Sequence, residues 1–119
     1  MKDFRKLVVW QKAHNLTVEI YKKTATFPRA EIYGLTSQIR RATTSVPANI
    51  AEGCGRKSEA EFGRFLQIAM GSASELEYHL LLARDLEYLP ESDYAPFDSQ
   101  VCEIKRMMIS LIQKLKADS

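Results

Sequence analysis

Phe97, Val101, Ile104, Met108, Leu111 and Leu115 follow one another at steps of 4, 3, 4, 3 and 4 residues. An α-helix turns once in about 3.6 residues, so this spacing lays all six side chains on one stripe, the kind of seam by which a helix packs into a bundle. A strand cannot use the pattern, because its side chains alternate with a period of two. Related spacing recurs three more times, and no period-two segment bounded by turn signals occurs. The chain has only 4 prolines and 5 glycines in 119 residues, which favours long helices over many short strands. These features predict an all-α fold, an antiparallel up-and-down four-helix bundle, in a single domain over residues 1–119.

The first helix is expected from about Leu7 to Thr26, with Trp10, Ala13, Thr17, Ile20 and Thr24 on its inner stripe. Phe27-Pro28 ends it, because the residue before a proline avoids helical angles. The second begins between Ala30 and Thr36 and ends at Gly53, with Leu35, Ile39, Ala42, Val46 and Ile50 inward. Pro47 lies inside it. The ring removes one backbone donor and crowds the Thr43 carbonyl, so a kink is expected there. Ser58 and Glu61 form a Ser-x-x-Glu capping box at the head of the third helix. Phe62, Phe65, Ala69, Ala73, Leu76, Leu80 and Ala83 then carry it to about Leu86, a rod of ~43 Å at 1.5 Å per residue. Ser92 or Asp93 caps the fourth helix, with Pro96 in its first turn. Trp10, Ile39, Ile50, Phe65, Leu76, Ile104 and Leu111 are the expected core, and helix is expected to exceed roughly 60% of the chain.

A hydrophobic fraction of 45% suffices for a real core without a covalent staple. No apolar run approaches a bilayer span, and the first residues do not read as a secretory leader, so a cytoplasmic protein with Cys54 and Cys102 reduced is expected. The net charge of +2 conceals an asymmetry. Residues 1–57 carry 11 Lys/Arg against 4 Asp/Glu, a balance of +7, whereas residues 58–119 carry 6 against 11, a balance of −5. Successive helices of opposite charge can attract one another within the bundle. Alternatively, one outer face stays basic enough to attract a polyanion.

No catalytic group, cofactor or metal site is expected. Cys54 sits between two glycines with Arg56 nearby, yet a reactive thiol needs a base, and His14 and His79 lie on other helices. The two histidines have no metal-ligand spacing, and the Glu-x-x-His pattern of di-iron bundles is absent. Gly53 to Ser58 lacks the spacing of a phosphate loop, although Arg56 and Lys57 could meet a phosphate at the head of the third helix. Candidates for contact with a nucleic-acid backbone are Lys12, Lys22, Lys23, Arg40, Arg56 and Lys57.

The second helix also carries a polar stripe, Gln38, Arg41, Ser45, Asn49 and Glu52, and the third offers Ser72 and Glu75 among small residues. A buried charge needs an opposite charge, so Arg41, Asn49, Glu52 and Glu75 are expected to form a buried structural network, with Arg41 paired to Glu75.

These stretches resemble a known family. Phe4-Arg5-Lys6-Leu7-Val8-Val9-Trp10-Gln11-Lys12-Ala13, then Phe27-Pro28 with Glu31 and Tyr33-Gly34-Leu35, are similar to the four-helix-bundle proteins encoded in 23S rRNA intervening sequences. So are Gln38-Ile39-Arg40-Arg41-Ala42 and, most specifically, Ser45-Val46-Pro47-Ala48-Asn49-Ile50-Ala51-Glu52-Gly53, continued by Phe65-Leu66, Ala69, Gly71-Ser72 and Glu75. The resemblance covers nearly the whole chain and weakens in the fourth helix. It implies a ring-like homopentamer and a role with RNA. A related branch, the accessory variability proteins of diversity-generating retroelements, implies a reverse transcriptase and nucleic acid as partners. Glu87 departs from the pattern, because relatives often carry a glycine after the third helix. Two functions follow as expectations. One is a non-enzymatic oligomer that associates with RNA or DNA through a basic outer surface. The other is a structural adaptor that docks a protein partner such as a reverse transcriptase.

Overall fold

The computed structural model describes residues 2–118. Four α-helices run Val8–Thr24 (α1), Leu35–Cys54 (α2), Glu59–Asp85 (α3) and Glu91–Asp118 (α4). They are 17, 20, 27 and 28 residues long, well above the expected share of the chain, and no strand occurs among the described residues. Two short 3-10 turns, Phe4–Lys6 and Arg29–Glu31, precede α1 and α2. α2 packs on α1 and α3, and α4 packs on α3 and α1, so α1 and α3 occupy one diagonal of the bundle. The molecule is a rod of 46 × 22 × 20 Å.

Its core runs the length of the rod. Ile39, Ile50, Phe62, Leu66, Leu76, Leu80 and Met108 are essentially sealed from solvent. Burying each such side chain is worth ~1.5–3 kcal/mol. Two expected core residues sit at its edge. On α1 the buried line is Val9, Ala13, Leu16, Ile20 and Thr24, so Trp10 is rotated to the rim. There its ring meets Phe4 edge-on and stacks on His14, each at 4.9 Å. On α4 the inner line steps from Met108 to Ile112, leaving Leu111 half-buried. A straight helix of 3.6 residues per turn drifts off a 3.5-residue repeat, and here the drift reaches a full position near its end.

α2 is continuous through Pro47, which is buried. Without a donor at Pro47, the Thr43 carbonyl loses its helical partner in a site only 1% exposed. α1 answers the deficit. The Thr17 hydroxyl lies 2.9 Å from the Thr43 carbonyl, 2.8 Å from that of Ala13 and 3.1 Å from the Thr43 hydroxyl. α4 begins earlier than expected. The Tyr94 N–H donates to the Pro90 carbonyl, so the helix opens at Glu91, ahead of Ser92 and Asp93. Pro96 therefore falls in the second turn.

The ends of α3 carry opposite lessons. At its head the Ser58 hydroxyl accepts the Glu61 N–H at 3.1 Å, but the Glu61 carboxylate faces Arg64 instead of closing the box. At its tail Glu87 has φ of 65°, the left-handed region. The Tyr88 N–H donates to the Ala83 carbonyl and the Glu87 N–H to that of Arg84, both at 2.9 Å. This is a Schellman cap with glutamate where glycine is favoured. Tyr88 also ties the turn to the α1–α2 connection. Its hydroxyl donates to Glu31, whose other carboxylate oxygen accepts the Leu35 N–H and so caps α2.

Candidate nucleic-acid interface

The six candidate cations do not form one patch. Lys22, Lys23 and Arg40 lie toward the α1–α2 connection, whereas Arg56 and Lys57 lie in the α2–α3 turn, at the other end of a rod 46 Å long. Five of the six already act within the chain, all but Lys57. Lys12 on α1 approaches Glu103 on α4 at 3.3 Å, and Lys23 approaches Asp93 at 3.0 Å. The Arg40 guanidinium donates to the Thr24 hydroxyl and the Tyr21 carbonyl and lies over the Tyr21 ring. The basic first half is therefore partly neutralised by carboxylates of α4, which is the internal complementarity that the charge asymmetry allows. Lys22 stands 3.8 Å from Glu19 at the surface.

Arg56 and Lys57 belong to a different gathering, much of which sequence order hides. The Lys2 N–H donates to the Cys54 carbonyl at 3.0 Å, which brings the N-terminal segment onto the end of α2. Lys2, Arg5 and Lys6 thereby join Arg56, Lys57 and Arg64 around the α2–α3 turn. Two adjoining surface depressions meet at Gly55, one lined by Lys2 and Arg5, the other by Arg56 and Lys57. α4 ends at the same pole, with Lys116 beside Glu59 and Arg64. Opposing anions are Asp3, Glu52, Glu59 and Glu61. Asp3 bonds Arg5, which holds its carboxyl below the ordinary value, and Glu52 pairs with Arg56 at 2.7 Å. The Lys6 and Lys57 side chains are exposed, and their ammonium groups make no hydrogen bond or ion pair among the described residues. Arg56 and Arg64 also lie over the Phe65 ring, at 4.7 and 4.8 Å, which keeps their guanidinium groups at the surface of the turn.

The expected polar network does not assemble inside the chain. Arg41, Glu52 and Glu75 are exposed, and Asn49 is half-buried. What joins α2 to α3 is smaller: the Ser45 and Ser72 hydroxyls meet at 2.7 Å, and the Asn49 amide donates to the Ser45 carbonyl and hydroxyl. Small residues bring the two helices too close for an arginine and a glutamate to fit between them, so the charges are held outside.

Elsewhere, Cys54 is buried, and burial pushes its thiol up, against service as a nucleophile. Glu77, Asp98 and Cys102 form a group that the sequence did not suggest, their ligating atoms within 4.8 Å of one another. Lys105 already holds Glu77 at 2.8 Å, and burial, followed by the neighbouring carboxylates, pushes the Cys102 thiol up. The residues at hand form a lysine-neutralised acidic cluster.

No helix is long and apolar enough to cross a membrane among the described residues. No curated protein matches the chain. A crystal structure of a protein with unknown function, from the S23 ribosomal protein family of Bacteroides thetaiotaomicron VPI-5482, superposes with a TM-score of 0.80 at 33% identity. That match covers 88% of this chain and 98% of the other. The family model described as 23S rRNA-intervening sequence protein matches residues 5–110. With nearly its whole length so matched, the chain belongs to the 23S rRNA-intervening sequence protein family.

Proposed function

We propose that this protein is a non-enzymatic, self-assembling helical bundle that binds the backbone of RNA or DNA through the basic pole around its α2–α3 turn. The observation that carries the reading is the convergence of Lys2, Arg5, Lys6, Arg56, Lys57 and Arg64 on one end of the rod, drawn there by the bond from Lys2 to Cys54. Phosphate contacts of this kind are largely indifferent to base sequence and weaken with salt, because they act by releasing counterions. Assembly, for which the family resemblance suggests a ring of five, would set several such poles side by side, so that a modest site per subunit gains avidity along one phosphate chain.

Fluorescence anisotropy with mixed-sequence RNA and duplex DNA at ~50 mM salt tests the reading. Binding is expected, with log affinity falling linearly in log salt at a slope near −0.9 per duplex phosphate contact. Absence of binding by the assembled protein under these conditions would refute it.

A second reading, an adaptor for a protein partner such as a reverse transcriptase, draws on exposed apolar side chains at the opposite pole. Tyr33 is 95% exposed and Ile32 52%. Purification of the native complex separates the two: nucleic acid carried with the protein favours the first, a stoichiometric protein the second.

A further inference from the structure

We propose that the groove between the head of α3 and the tail of α4 receives an unpaired base, so that the basic pole selects single-stranded RNA or DNA over duplex. The inference rests on the nucleic-acid reading above and names what that site selects.

The groove opens where the two helices lie side by side at the pole. Its volume is about 330 Å³, at the lower end of the range of roughly 300–1,000 Å³ for small-molecule sites. Ile112 and Leu115 of α4 give it an apolar wall, and the facing residues of α3 include Ala60 and Gly63, too small to close the space. An ideal Cβ at Gly63 would meet nothing within 4 Å. A glycine inside a helix weakens it relative to alanine, and no neighbour within the chain requires one at this position. What the glycine provides is room beside Ile112 and Leu115.

Charge and hydrogen-bonding groups then select the occupant. Arg64 and Lys116 line the groove against one carboxylate, Glu59, which Lys2 already holds at 2.9 Å. The groove therefore favours an anion with an apolar body. Arg64 also belongs to the basic pole: its guanidinium and that of Arg56 share the Phe65 ring, at 4.8 and 4.7 Å. A strand whose phosphates follow Arg56 and Arg64 thus passes the mouth of the groove. The Gln67 amide, on the α3 wall, offers both a donor and an acceptor and makes no hydrogen bond among the described residues. A nucleotide uses all three features. Its phosphate meets the cations, the face of its base covers the aliphatic wall, and the base edge bonds Gln67. A fatty acyl chain would leave the Gln67 amide unused. An intact duplex keeps its bases stacked and paired, out of reach of the groove.

Fluorescence anisotropy of the intact protein at ~50 mM salt tests the proposal with a mixed-sequence single strand, the duplex of equal length, and the same strand carrying abasic sites, which keep the phosphates without the bases. Phosphate attraction alone favours the duplex, whose charge density is higher. The groove predicts the reverse: the single strand binds about tenfold tighter than the duplex, and the abasic strand loses that advantage. Gly63→Leu fills the groove, and circular dichroism verifies that the variant folds. It should bring the single strand down to the affinity of the duplex and leave the duplex unchanged. If both nucleic acids bind but the single strand has no advantage, or the abasic strand or the folded variant keeps it, the groove is refuted while the basic pole stands. If neither binds, the nucleic-acid reading fails and the groove with it.

Discussion

Glu87 holds a left-handed backbone at φ of 65° in the Schellman turn after α3. A side chain there costs ~1–2 kcal/mol, because Cβ crowds the following carbonyl. Glycine avoids that crowding but surrenders ~0.5–1 kcal/mol to the flexibility of the unfolded chain. Glu87→Gly should therefore stabilise the protein by roughly 0.5–1 kcal/mol and raise the midpoint of a thermal melt by a few degrees. Gly53 shows the converse. A Cβ at Gly53 would lie 2.9 Å from both Phe62 Cδ1 and Phe65 Cβ, where α2 and α3 close on each other. Overpacking of that kind costs ~1–3 kcal/mol, and alanine regains at most about 1 in helix propensity. Gly53→Ala should lower the midpoint of urea unfolding, with the helical spectrum retained. An unchanged midpoint would mean that the two phenylalanines move aside. Both positions could be singled out in the sequence, one as a departure from a family glycine and one as a helix end, but only the backbone geometry gives each its sign.

At the scale of the element, Pro47 and Thr17 form a unit that neither helix pattern discloses. The proline removes the donor for the Thr43 carbonyl, and a hydroxyl on α1 stands 2.9 Å from the orphan. Stranding a buried carbonyl costs ~1–3 kcal/mol. Thr17→Val should destabilise by about that much in the natural chain. In a Pro47→Ala background the alanine N–H serves Thr43, and the same change should cost less by roughly 1 kcal/mol. A double-mutant cycle by chemical denaturation measures the difference, and additive effects would show that the hydroxyl is needed only by its own helix. Periodicity located all four helices because each buries a stripe. It was least secure where two stripes compete: Val9 and Leu16 beat Trp10 and Thr17 for the interior of α1. Ser58 marked the head of α3 through a specific bond, whereas α4 opened at Glu91 without needing Ser92 or Asp93. The polar stripe of α2 was legible as a stripe but not in its depth. Burial of Arg41 depends on how near α3 comes, and the serines that decide this lie in two distant segments.

For the whole molecule, the partition of charge is what matters, and it follows the folded ends rather than the halves of the sequence. Lys12 and Lys23 serve as ion-pair partners of α4, while Lys2, Arg5 and Lys6 are carried to the α2–α3 turn by the bond from the Lys2 N–H to the Cys54 carbonyl and by the Lys2–Glu59 ion pair at 2.9 Å. Linear order could place Arg56 and Lys57 together but could not bring residues some fifty positions away beside them. This division makes the two groups of lysines and arginines separable by experiment. Replacing Lys12 and Lys23 by alanine removes two partly exposed ion pairs, each worth at most about 1 kcal/mol, and should lower stability slightly. The salt slope of nucleic-acid binding should not change. Replacing Arg56 and Lys57 by alanine should leave the thermal midpoint nearly where it was, since Lys57 has no partner among the described residues and Arg56 pairs with Glu52 at the surface. It should flatten the salt slope by up to ~0.9 for each duplex phosphate that the protein no longer neutralises. The two double variants thus move opposite observables. Equal effects on the slope would place nucleic acid along the side of the rod instead of at its pole.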